Sequence, residues 1–335
     1  MRNLLFIICL FAISVSTLTY AQTSQSQDSS ATPDSTVNII SWFSVSDTVE
    51  YLIDKSNWRM NGQDTVITNH ASYTVRIVVT DSTASGYKMD YTYLDFHSDT
   101  IDDSPLGIYQ TKLTESIGKK LIGTTIRFET TDCGEITKIT NLGEIKKQAK
   151  TLFKDAMNEL AELPIMRELK ESGVNLDLKK FAKNIDINLL VDDYLDDLNF
   201  LFAYHGRQFH IGESQSHFDA TESNYEYDLY SYIESDPDDG TYSISFDITN
   251  YIPKEAWNDA LHELIAELLN KKMAENLDKS LPLQIDGKGI IESDCYIRYI
   301  PEGWPYKALK HEITMLDTVS RLKQTRILLN AYTLH

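Results

Sequence analysis

The feature that most constrains this chain is a two-residue alternation that recurs along it. Tyr73, Val75, Ile77 and Val79 alternate with Thr74, Arg76, Val78 and Thr80, and Tyr87, Met89, Tyr91 and Tyr93 alternate with Lys88, Asp90 and Thr92. Successive side chains of a strand point to opposite faces, so the pattern calls for strands with one buried face. Ser82-Thr83-Ala84-Ser85-Gly86 lies between the two runs and suits a hairpin loop. The arrangement returns later: Tyr225, Tyr227 and Leu229 lead through Ser235-Asp236-Pro237-Asp238-Asp239-Gly240 to Tyr242, Ile244, Phe246 and Ile248. Further strands are expected at 49–53, 125–129, 136–139, 295–299 and 321–329. Short connections between most of them favour antiparallel pairing.

Helical stripes separate these strands. Ile145, Ala149, Leu152, Phe153, Ala156 and Leu160 share one helical face, with Asn141 placed to cap it and Pro164 to end it. A second stripe, Trp257, Leu261, Leu264, Ile265 and Leu268, follows Pro253. A third helix is expected over 188–204. The whole predicts an α+β protein. Mainly antiparallel sheets form two halves, residues 36–200 and 201–335, and pack against amphipathic helices.

The first 21 residues read as a secretory signal peptide. Arg2 precedes an apolar run from Leu4 to Val15, and Thr19 and Ala21 are small residues suited to the approach to a cleavage site. That run is 12 residues long, whereas a bilayer-spanning helix needs about twenty. No later segment is apolar enough to span. Residues 22–35, QTSQSQDSSATPDS, contain no large apolar side chain and are expected to form a disordered tether. The chain is therefore expected to be exported, to the periplasm, cell surface or medium.

Charge narrows the partners. Against 31 Lys and Arg stand 50 Asp and Glu, a net charge of −19. Nucleic acids and anionic lipid surfaces select for the opposite sign, so neither is expected as a partner.

The chemical motifs are incomplete. His262-Glu263 and His311-Glu312 open like a zinc-protease helix, but Ala266 and Met315 stand where the second His belongs. Asp236–Gly240 offers a calcium loop only Asp239, with Phe246 at the bidentate position, and reads as a turn. His205, His210 and His217, with Glu213 among them, could meet at a metal only if the chain doubles back. Asp192, Asp193, Asp196 and Asp197 read as a solvated helix face. No catalytic, cofactor or metal set emerges. Cys133 and Cys295 remain after leader removal. In an oxidising compartment they can form a disulfide, or stay as two separate buried thiols.

The leader core at 4–15, the tether at 22–35 and the Tyr-bearing strands around Tyr87 and Tyr242 resemble large exported bacterial proteins of unknown function. That resemblance implies no activity and carries over no site residue. The expectation is a non-enzymatic binding or envelope-associated protein taking a protein, sugar or apolar ligand on a Tyr-rich sheet. The alternative is a hydrolase or metal-dependent enzyme with its site assembled around His205, His210 and Glu213.

Export carries a direct test. N-terminal sequencing of the protein recovered from its native compartment is expected to begin near Gln22; an intracellular chain that retains Met1 would rule export out.

Overall fold

Alternation, followed strand by strand, generates one sheet. The computed structural model describes residues 36–61, 64–99, 101, 105–171, 177–221, 224–260, 289–316 and 319–335. The expected leader and tether lie outside the described residues. So do Leu261, Leu264, Ile265 and Leu268 of the second stripe, and the His262-Glu263 pair.

The chain opens with β1 (Thr36–Asn38), β2 (Thr48–Asn61), β3 (Asp64–Thr83) and β4 (Gly86–Asp99), then α1 (Pro105–Leu121), β5 (Thr125–Thr130) and β6 (Ile136–Ile139). Four helices follow: α2 (Leu142–Ala161), α3 (Pro164–Glu171), α4 (Leu178–Asn184) and α5 (Ile187–Leu201). Next come β7 (Gln208–His210), β8 (Gly212–Phe218), β9 (Glu226–Ser235) and β10 (Tyr242–Ile252), a helical stretch at 254–260, then β11 (Gly289–Tyr299), β12 (Pro305–Leu316) and β13 (Val319–Thr333).

Eleven of these strands form one antiparallel sheet in the order β6-β5-β4-β3-β2-β13-β12-β11-β10-β9-β8, while β1 and β7 pair separately. This corrects the α+β expectation of sheets in two halves. The protein is β-rich, with more strand than helix. The stretches 36–200 and 201–335 share one sheet because β2 pairs with β13 from Thr48↔Thr333 to Met60↔Ser320. Alternation specifies which face of a strand is buried but not which strand lies beside it, so the seam left no mark in either half.

The chain divides into two compact units, each built from separate stretches. The sheet unit takes 36–142, 197–252 and 289–335 of the described residues. Its buried face carries Val49, Tyr51, Ile53, Val75, Ile77, Ile126, Ile297 and Ile327, all nearly or fully inaccessible. Burying each aliphatic side chain contributes about 1.5–3 kcal/mol. Phe43 stacks on the fully buried Trp304 at 4.0 Å between centroids, with Phe202 and His205 beside them. Helix α1 packs on β3 and β4, where Gly118 lies against the ring of Phe96. The helical unit takes 143–171, 177–196 and 253–260. The α2 stripe is buried at Ile145, Ala149, Leu152, Ala156 and Leu160, as its spacing requires. Pro164 opens α3 after the break that ends α2. Asp177 caps α4 by accepting the Lys180 N–H.

Gly86 shows how tightly the hairpin is seated. Its φ is +141°, and a Cβ there would lie 1.9 Å from the carbonyl oxygen of Thr130 on β5. Gly86→Ala must therefore strain the turn and push β5 away. Chemical denaturation is expected to show a loss of about 2 kcal/mol or more. Ser85→Ala, in the exposed turn beside it, is expected to stay within about 0.5 kcal/mol of the parent.

Candidate functional site

The inner face of the sheet changes character along each strand. On β2 the inward positions run Val49, Tyr51, Ile53, then Lys55, Asn57 and Arg59. Pairing extends the apolar end through Tyr73, Val75 and Ile77 of β3 and Tyr91 and Tyr93 of β4. At the other end of the sheet it runs through Tyr299 and Ile297 of β11 to Tyr242 and Ile244 of β10. Tyr242 and Tyr299 stack at 5.1 Å.

The polar groups on this face decide what it can do. Asp197, in the last turn of α5, is buried; its carboxylate accepts from the Tyr73 hydroxyl and pairs with Lys55 Nζ at 2.8 Å. Burial raises the Tyr51 and Tyr299 hydroxyls well above their ordinary pKa, so both stay protonated. Neither oxygen has a hydrogen-bond partner among the described residues, and the same is true of Ser293 Oγ and Asn250 Nδ2, at inward positions of β11 and β10. A buried polar group without a partner costs about 1–3 kcal/mol.

Farther along, β12, β13 and β2 present Lys310, Glu312, Lys323, Arg321, Lys55 and Arg59 on the inner side. Lys323 Nζ lies 3.5 Å from Glu312. Beside this polar stretch the inner positions turn apolar again, with Ile291 on β11, Phe246 and Ile248 on β10 and Leu229 on β9. The helical unit has a cleft of only about 120 Å³, beside Lys150, Phe153 and Leu190. That is small against the roughly 300–1,000 Å³ of small-molecule sites.

The residues singled out in the sequence do not assemble. Cys133 and Cys295 are both free, so the disulfide is absent. Cys133 lies in the β5–β6 connection near Gly206. Cys295 is buried on β11 with its sulfur 2.9 Å from the Tyr204 hydroxyl. Burial pushes the Cys295 thiol up to about 11, with Tyr204 opposing it. His205 is buried and its Nε2 donates to the Gly303 carbonyl at 2.9 Å; burial lowers its pKa to about 4, so it is neutral. His210 is exposed on β7, and His217 on β8 bonds Asp228 at 2.7 Å; Glu213 is exposed on β8. No group of three or more metal-ligating side chains occurs among the described residues. His311 lies on β12 opposite Asp294 and Gln324, in a strand rather than a helix. Asp236–Gly240 forms the β9–β10 turn, closed by Asp236 N–H donating to Thr241 O at 2.8 Å. Of the four acidic residues on α5, Asp192 and Asp193 are exposed, whereas Asp197 turns inward.

A further ionic cluster gave no sequence signal. On the outer face, His70 of β3 reaches Asp54 of β2 and Asp99 of β4, both at 2.6 Å. Arg326 of β13 binds Asp54 at 2.6 Å, and His97 binds Asp99 at 3.0 Å. Its members come from four strands, up to 272 residues apart, so no local spacing reveals them. Burial alone lowers the His70 pKa; hydrogen bonds and charge from Asp54 and Asp99 outweigh it, and the net shift is upward. Asp54 is destabilised by burial but held low by Arg326 and His70.

No family model matches the chain, and no curated protein matches it. Among solved structures, it shares 9% identity and a TM-score of 0.39 with a lipovitellin studied for its lipid–protein interactions, covering 87% of this chain and 26% of that one. A Rh. blastica porin variant shares 6% identity and a TM-score of 0.20, covering 84% of this chain and 99% of the porin. The chain thus spans about a quarter of the lipovitellin chain. Likenesses this weak place no function on it. No described helix is long and apolar enough to cross a membrane.

The His70 cluster has a pH signature. A His pKa raised by folding stabilises fully below the unfolded value of about 6.5, and that contribution disappears as pH rises through the folded value. His70→Gln is expected to lower the denaturation midpoint at about pH 6 and to change it much less at about pH 9. An equal loss at both values would mean the ring acts by packing alone.

Proposed function

We propose that this is an exported, non-enzymatic binding protein whose ligand has an apolar body and lies against the inner face of the eleven-stranded sheet. One observation carries the reading: of the eleven buried side-chain polar atoms without partners among the described residues, Tyr51 Oη, Tyr299 Oη, Ser293 Oγ and Asn250 Nδ2 share that face. Native proteins leave few such groups. Phe would fill the Tyr51 and Tyr299 positions with no orphaned oxygen. A ligand with a few polar atoms on an apolar body would offset these costs, and the surrounding aromatic and aliphatic wall suits that body. The signal peptide and tether expected at 1–35 supply the exported setting. The acid excess argues against nucleic acid as the ligand. A metal-dependent or hydrolytic site on His205, His210, His217 and Glu213 finds no support in the placement of those side chains.

Tyr51→Phe and Tyr299→Phe test the reading, because function and stability should move in opposite directions. Each is expected to hold or raise the stability of the ligand-free protein, by up to about 1 kcal/mol, since an orphaned buried hydroxyl is removed. Each should also weaken binding of a fluorescent apolar probe such as 1-anilinonaphthalene-8-sulfonate. If the parent protein shows no saturable binding of the probe, or if both variants lose stability and keep affinity, the inner face is simply core.

A further inference from the structure

Resting on that reading, we infer that the ligand is an anionic amphiphile whose negative group meets the inner side of β12, β13 and β2. The inward positions of these three strands hold five cations, Lys310, Lys323, Arg321, Lys55 and Arg59, against one carboxylate, Glu312. They do so in a protein whose net charge is −19, so the sign of this patch is opposite to that of the molecule around it. Lys55 and Lys323 are engaged by Asp197 and Glu312; the inference rests on the number and placement of the cations rather than on any of them lacking a partner. Arg321 lies directly opposite Arg59 in the β13–β2 register.

The adjoining strands supply the other half of the recognition. Ile291, Phe246, Ile248 and Leu229 continue the same face toward the β8 edge, so cationic and apolar surfaces lie side by side. At their junction on β11, Ser293 is buried with its hydroxyl unpartnered, directly across from Glu312 on β12 and two positions along the strand from Ile291. A hydroxyl there can donate to an oxyanion while the apolar chain runs over β10 and β9. A carboxylate and a phosphate ester share this chemistry.

Matched probes of one chain length decide the matter. Dodecanoate, dodecyl phosphate and dodecanol compete against the fluorescent probe on the mature protein. The two anions are expected to bind at least about tenfold tighter than the alcohol, equivalent to about 1.4 kcal/mol, and to lose that margin as salt rises. Arg321→Gln with Lys323→Gln should shrink the acid-to-alcohol ratio about tenfold. Arg59→Gln, at an exposed position, should shrink it in the same direction if the double variant fails to fold. Preference for dodecanoate over dodecyl phosphate would point to a free fatty acid, and the reverse to a phospholipid headgroup; either supports the inference. Equal affinity for acid and alcohol overturns it and leaves the binding function standing. Failure of all three to compete overturns both.

Discussion

The rest of the sheet unit depends on the pairing of β2 with β13. This seam joins a strand near residue 50 to one near residue 325, with a single irregularity between Leu329 and Ala331. Loop-closure entropy grows slowly with the length closed, so distance in sequence is no bar to such a contact. Hydrophobic burial holds it: Ile53 faces Ile327, and both are fully buried. Without the seam, two smaller sheets would each present an extra edge and lack a common core.

The seam also gathers the polar features. It brings Lys55 and Arg59 of β2 beside Lys323 and Arg321 of β13 on the inner side, and Asp54 beside Arg326 on the outer side. The two faces solve the same electrostatic problem differently. Outside, His70 lies between two carboxylates, Arg326 binds one of them and His97 the other, where water can screen the charges. Inside, cations outnumber carboxylates and stand next to apolar strands. A structural role suffices for the outer arrangement, whereas the inner one is where the proposed ligand would lie.

Asp197, the first residue of the sheet unit after the helical stretch, belongs to that surface. It follows the three acidic residues Asp192, Asp193 and Asp196 on α5, and composition alone groups all four as a solvated face. Its position one turn from the helix end, among Leu195, Leu198 and Leu201, carries it to the buried side, where one carboxylate oxygen takes both the Tyr73 hydroxyl and Lys55 and the other has no hydrogen-bond partner among the described residues. Removing such a carboxylate takes one partner from a cation and a hydroxyl, and part of the desolvation already incurred is then uncompensated.

The sequence by itself determined the strands through the alternation at 73–79 and 87–93, the turns at 82–86 and 236–240, and the buried stripe of α2. Each is a local property, written in the spacing of apolar residues and in glycines where the backbone needs them. It did not determine that the two halves share one sheet, that Cys133 and Cys295 stay apart as thiols, that His205 is a neutral core residue, or that His70 joins Asp54 to Asp99. Those outcomes depend on which strand lies next to which. Period-two patterning fixes the buried face of a strand, whereas its neighbour is chosen by the total burial and hydrogen bonding of the whole sheet. The tertiary structure therefore decided the candidate site, since its cations, tyrosines and unpartnered hydroxyls meet only when strands nearly 300 residues apart are placed side by side.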